Sequence, residues 1–173
     1  MLKKKFFDVE LENLNLKISV LARDINDLKG KTITYDLTRI LKGKNCEAKF
    51  RVKELQEGVP FAEIYSFVIL PTFIRKMIGR NISIVEDSFF CKCQDAGLRI
   101  KPFLITRKKV HRRIRAFLRE KARDFIMKSV SEMSRKKFFQ EILSSSLQKN
   151  LSKKLKKIYP LAVCEIRMAK VEK

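Results

Sequence analysis

The hydrophobic pattern of this chain shifts near residue 106 from mostly strand-like to mostly helical, and that change decides what can fold where. Up to that point apolar side chains recur at alternate positions. Cys46, Ala48, Phe50 and Val52 alternate with Glu47, Lys49, Arg51 and Lys53, and Ile33, Tyr35 and Leu37 alternate with Thr32, Thr34 and Asp36. Successive side chains of a strand point to opposite faces, so each run predicts a strand with one apolar and one polar face. From Arg107 to Met133 the repeat becomes helical. Val110, Ile114, Phe117, Leu118 and Phe125 cluster on one side at 100° per residue, drifting toward Ile126 and Val130, while Lys108, Arg112, Arg115, Arg119 and Arg123 cluster on the opposite side.

Punctuation supplies the remaining elements. Asn26 to Gly30 reads as a turn, and Glu57, Gly58 and Pro60 close the strand that contains Phe50. Pro71 suits the first turn of a short helix carrying Phe73, Ile74, Met77 and Ile78, ended by Gly79 or Asn81. Ile82 and Ile84 suggest an extended segment. A hairpin follows, with Phe89, Cys91 and Cys93 on one arm, a turn at 94–97, and Leu98 to Thr106 on the other. Pro102 in the return arm predicts an edge position or a bulge. Ser134 can cap a second helix with Phe138, Phe139, Ile142 and Leu143. Leu147, Leu151, Leu155 and Ile158 line a third, which stops before Pro160, and Tyr159 and Leu161 pack the joint. A last strand, Val163 to Lys170, places Cys164, Ile166 and Met168 on one face. Strands, then helices, then a closing strand define an α+β fold: residues 1–106 mainly β with one short helix, residues 107–173 basic helices plus the last strand, packed as one compact domain.

Charge narrows the function. The 173 residues include 40 Lys plus Arg against 19 Asp plus Glu, a formal net charge of +21. The excess is concentrated: 19 basic and 4 acidic residues fall between Lys101 and Lys157. Self-repulsion of this size disfavours the compact state, and a polyanion relieves it. A spanning helix is not expected, because the longest uncharged apolar stretch, Ile64 to Ile74, contains Pro71 and falls well short of the roughly 20 residues required. Asp8, Glu10 and Glu12 stand where the apolar segment of a signal peptide would be. A cytosolic protein, or one nuclear in transit, is the expectation, so its four cysteines should be reduced. Cys91 and Cys93 are one residue apart rather than the two to four of zinc ribbons, and they read as small packing groups sharing one strand face.

The candidate interface has two parts. Arg112, Arg115, Arg119 and Arg123, with Arg107, Lys108 and Lys109 before them, form a basic stripe in which Glu120 and Asp124 are the only acids up to Ser131. An ordinary solvated helix face mixes signs. Arginine offers a planar fork of donors to phosphate. The second part is Lys153, Lys154, Lys156 and Lys157 beside the Leu147–Ile158 stripe. One or two lysines would serve the helix dipole; four suggest a phosphate-bearing partner. No phosphate loop, dinucleotide fingerprint or nucleophile elbow is present, and the single histidine, His111, sits among cations without a partner carboxylate. The expectation is no enzyme, no cofactor, no metal and no small-molecule substrate. Most of the 13 Phe occupy core-like positions rather than base-stacking ones.

Near the C-terminus Lys156-Lys157-Ile158-Tyr159-Pro160-Leu161, then Val163-Cys164-Glu165-Ile166-Arg167 and Lys170-Val171, resembles the closing signature of the archaeal and eukaryotic small-subunit ribosomal proteins of the S-one type, also called S-three-A type. Gly97-Leu98-Arg99-Ile100, Ile105-Thr106-Arg107-Lys108, Phe138-Phe139-Gln140-Glu141-Ile142 and Ile74-Arg75-Lys76-Met77-Ile78 extend the resemblance upstream. Glu10 and Leu11 stand in place of that family's Ala-Pro step, and Leu70-Pro71-Thr72-Phe73 in place of its Leu-Thr-Arg-Asp. The resemblance implies an antiparallel β-barrel-like body with helices packed on it. It also implies a structural constituent of the small subunit that binds its rRNA, lies beside neighbouring platform proteins near the messenger exit, and serves assembly and translation. A free-standing RNA-binding assembly or translation factor is the alternative, and an RNA-modifying enzyme or nuclease a third reading.

Overall fold

A computed structural model describes residues 4–56 and 59–172. Its elements in chain order are β1 (Lys5–Leu11), β2 (Leu16–Ala22), a single 3-10 turn (Ile25–Leu28), β3 (Thr32–Asp36), β4 (Cys46–Gln56), β5 (Val59–Ile69), α1 (Pro71–Met77), β6 (Ile84–Glu86), β7 (Phe89–Lys92), β8 (Gly97–Thr106), α2 (Arg112–Ser131), α3 (Arg135–Leu143), α4 (Ser146–Leu155) and β9 (Leu161–Glu172). The α+β class is as the sequence predicts. Ser134 caps α3, accepting the Lys137 N–H at 3.4 Å. Pro71 opens α1.

All nine strands join one sheet, with β2-β1-β5-β9-β8-β6 as its spine, β4 and β3 beyond the other edge of β5, and β7 on β8. β1 and β9 share one edge of β5: β1 pairs in parallel at Phe61 and Ala62, and β9 antiparallel at Ser66 to Val68. β6 and β7 share one edge of β8 in the same way. The sheet therefore forks at both strands instead of rolling shut, and the barrel-like body implied by family resemblance is an open, branched sheet.

Register shows why alternation was the right signal. Ala48, Phe67, Ala169, Ile100 and Phe89 lie in one file across β4, β5, β9, β8 and β7, and all are buried. One position along each strand, the file is Lys49, Ser66, Lys170, Arg99 and Phe90. The first set enters the core; the second faces outward.

Three expectations change. Pro60 does not close a segment. It is buried inside β5 and pairs with Leu55 on β4, while Glu57 and Gly58 lie outside the described residues. Pro102, by contrast, takes the second of its two expected settings: β8 is flanked on both sides, so the proline is not at an edge, and it sits at a bulge. It falls between the β7 pairing, which ends at Ile100, and the β6 pairing, which begins at Phe103. The β9 register also shifts there, leaving Arg167 as the extra residue of a bulge. That bulge breaks the predicted Cys164–Ile166–Met168 face: Ile166 and Ala169 are the buried pair, and Met168 turns outward. Finally, α2 starts at Arg112, not Arg107, and buries Leu118, Ala122, Ile126 and Val130. Its core face lies roughly a quarter turn from the Val110–Phe125 cluster. Phe117 is 44% exposed. The reason is tertiary: α2 packs on β6 and β7 and also against α4, so the buried side is the one between two neighbours.

A buried ion network pins α3 to the sheet. Glu12, 4% exposed at the end of β1, accepts the Ile64 N–H at 3.0 Å and faces Arg135 at 3.3 Å. Arg135 also meets Glu63 at 2.9 Å and donates to the Ile64 carbonyl at 3.1 Å. Removing one partner of a buried pair leaves an uncompensated charge. Arg135→Met is therefore expected to lower stability by about 3 kcal/mol, read as the denaturant midpoint at pH 7. The loss should be clearly smaller in a Glu12→Gln background, where the buried carboxylate is gone and Glu63 keeps Lys53 at 2.7 Å.

Candidate nucleic-acid interface

The two basic clusters, distant in sequence, meet in space. Arg107, Lys108 and Lys109 form an exposed loop between β8 and α2. Its backbone is fixed from beneath: the buried Thr106 hydroxyl donates to the Lys108 carbonyl at 2.7 Å, and Ser83 Oγ accepts the Val110 N–H at 3.1 Å. The Arg107 N–H reaches the Pro160 carbonyl at 3.4 Å, and Thr106 pairs with Leu161. The tribasic loop thus lies against the chain just after Lys156 and Lys157, which follow α4 and are exposed, as are Lys153 and Lys154 in its last turn. Arg112 opens α2 beside this loop. No acid stands in the first turn of α2 to offset the positive end of its dipole. The loop and the lysine turn are thus neighbours where β9 begins.

The rest of the arginine stripe points elsewhere. Because the core face is rotated, Arg115, Arg119 and Arg123 border the packed side of α2 and do not stand opposite it. Arg115 keeps a buried Nε without a hydrogen-bond partner. Arg119 donates from Nε to the Glu86 carbonyl at 3.1 Å, and Arg123 grips the Asp87 carboxylate with two bonds of 2.9 Å. Arg119 and Arg123 line a cleft of about 660 Å³ with Lys101 and Arg167, two cations that pattern reasoning missed because they belong to strands. Arg167 is brought there by the β9 bulge and pairs with Glu86 at 3.2 Å.

A second omission lies between α2 and α4. Lys121 and Lys128, seven residues apart on α2, line a groove with Lys154, whose Nζ sits 4.4 Å over the Phe125 ring. Their i, i+7 spacing was available from sequence, but α4 had to be placed before it meant anything.

Among the described residues no group of three or more His, Cys, Asp or Glu side chains could hold a metal ion. The cysteines are free; burial pushes the Cys91 thiol up to about 11 and the Cys46 and Cys164 thiols up to about 12. Such thiols are protonated and inert near neutrality. No helix among the described residues is long and apolar enough to cross a membrane.

Fold and surface together define a basic α+β protein with exposed cations on the loop before α2 and on the turn after α4. Its sequence matches the Ribosomal S3Ae family over residues 1–173, and the chain belongs to that family. It is similar to the small ribosomal subunit protein eS1 of Methanothrix thermoacetophila, 24% identical over 155 residues, covering 87% of this chain and 74% of that protein. The eS1 protein of Saccharolobus islandicus is 26% identical over 156 residues, covering 88% and 75%. That of Nanoarchaeum equitans is 25% identical over 130 residues, covering 75% and 66%.

The Arg123–Asp87 clamp has a pH signature. Burial alone would raise the Asp87 carboxyl. The Arg123 hydrogen bonds, the Ser88 N–H and the charges of Arg123 and Arg119 outweigh it and hold the group below the usual carboxylate range. A depressed folded value contributes stability that is present above the unfolded value of about 4 and lost as pH falls through the folded one. Asp87→Asn should therefore be less stable than the parent at pH 7, with the difference closing in acid, as read from denaturant midpoints across pH.

Proposed function

We propose that this chain is a structural constituent of the small ribosomal subunit, holding rRNA through the surface made by Arg107, Lys108, Lys109, Arg112, Lys153, Lys154, Lys156 and Lys157. Arg115, Arg119 and Arg123 support its flank. Neighbouring platform proteins, and messenger RNA near its exit, are the further contacts this reading predicts; catalysis is not among its roles. The observation that carries it is the joining of two basic clusters, almost without acids, on an α2–α4 corner in a chain of the Ribosomal S3Ae family. Lysine and arginine at such a corner meet phosphates rather than base edges, because the deep, narrow major groove of A-form RNA hides the bases.

Tagged chain, separated on sucrose gradients, should sediment with the small subunit at about one copy per particle and stay there after a high-salt wash. Recovery only in the unbound fractions would favour a free-standing factor. At residue level, Lys156→Ala with Lys157→Ala should weaken binding to structured rRNA fragments alike and reduce the magnitude of the salt slope by about two. The measurement is a set of binding isotherms across salt concentration, with Arg113→Ala as the control. A changed preference between RNA sequences at an unchanged slope would contradict phosphate contact.

A further inference from the structure

The outward file Lys49, Ser66, Lys170, Arg99, Phe90 is not explained by the helical corner. Lys170 on β9 stands directly opposite Arg99 on β8. Like charges at directly opposed positions destabilise a sheet. Glu172 relieves only Arg99, at 2.8 Å. Among the described residues Lys170 meets no carboxylate; its ammonium lies 5.8 Å from the Tyr65 ring, whose centroid is 4.4 Å from the Arg51 guanidinium carbon. Tyr65 is aimed there by its own bulge, because the β4 register steps from Phe50–Ile64 to Lys49–Ser66 and leaves it unpaired. Lys49, exposed on β4, likewise meets no carboxylate among the described residues.

The file ends on an aromatic ring. Phe90, paired with Arg99, is 39% exposed. Its ring is held against the backbone of Gly97, where a Cβ would come within 2.5 Å of Phe90 Cζ. Glycine at 97 thus seats the ring on the sheet and leaves part of it open to solvent. At ~4.8 Å between strands the file from Lys49 to Phe90 runs roughly 19 Å.

We propose that this outward face is a second RNA surface, taking an extended single-stranded segment with its phosphates over Lys49, Lys170 and Arg99 and a base stacked on Phe90. Cationic tracks with aromatic platforms hold single strands in this way, and only an unpaired base can stack on a ring. The inference rests on the RNA-binding reading above, but uses none of the residues of the helical corner.

The test measures binding of the full chain to the RNA oligomer U12, to a 12-base-pair RNA duplex and to a poly-glutamate peptide, over a salt series. Phe90→Leu, which keeps Gly97 covered, should weaken U12 binding by about tenfold, in the range expected for one lost stack, and leave the duplex nearly unchanged. Lys49→Ala with Lys170→Ala should lower the magnitude of the U12 salt slope by roughly 1.4. Lys49→Arg with Lys170→Arg should restore it, and provides the readout if the alanine pair folds poorly. Equal losses on U12 and duplex with no effect of Phe90→Leu would overturn the single-strand assignment. Loss of poly-glutamate binding alone would overturn it in favour of an acidic protein. If only Lys153→Ala with Lys154→Ala weakens U12, the sheet proposal fails while the ribosomal reading stands. If no variant of either surface affects any RNA, the RNA-binding reading itself fails.

Discussion

The sheet exists as one body because the last strand is inserted into its middle. β9 pairs with β8 along most of its length and with β5 at Met168 to Lys170. Without it, β1 to β5 and β6 to β8 would be separate sheets, each with an open edge of unpaired backbone groups. The three consecutive helices between β8 and β9 are the connection that carries the chain back. α2 covers β6 and β7, and α4 packs on both α2 and β9. The cationic corner follows from this closure, since the Arg107–Pro160 and Thr106–Leu161 contacts are where β9 begins.

Bulges then decide which cations become available. In β9 one extra residue is Arg167, directed to the Glu86 side of the cleft; in β5 Tyr65 is extra, stacked beneath Arg51. Each inverts the alternation beyond it, so the apolar file Ala48–Phe89 and its charged neighbour remain in register across strands whose own sequences do not alternate cleanly. Ser66 and Phe67 are both buried for this reason, one under the outward side chains and one in the core.

Within the ionic surface, burial separates structural from available charge. Arg135 and Arg123 are committed to carboxylates and organise helices against the sheet. Arg107, Lys108, Lys109, Arg112 and the α4 lysines are exposed and have few acids near them. A net charge of +21 is tolerable because the excess is spread over a corner and a sheet face rather than confined with the core.

Several features were legible in the linear pattern: β4, the β7–β8 hairpin, α1, the Ser134 cap, the three C-terminal helices and the basic excess. Each depends on neighbours within a few residues, through alternation, proline or capping chemistry. The family signature around Tyr159-Pro160-Leu161 was legible for the same reason. β5 was not, although it joins β4 to β1 and β9: its apolar residues Val59, Phe61, Ile64, Phe67 and Val68 fall on both faces, and its bulge at Tyr65 shifts the period. The buried side of α2 was not legible either, because Leu118, Ala122, Ile126 and Val130 are selected by β6, β7 and α4 rather than by the helix alone. Sequence by itself determined the class of fold, the excess of cations and the family. Only tertiary structure decided which cations are spent on carboxylates and which face outward, because that depends on pairing β9 with β8 and with β5, about a hundred residues earlier in the chain.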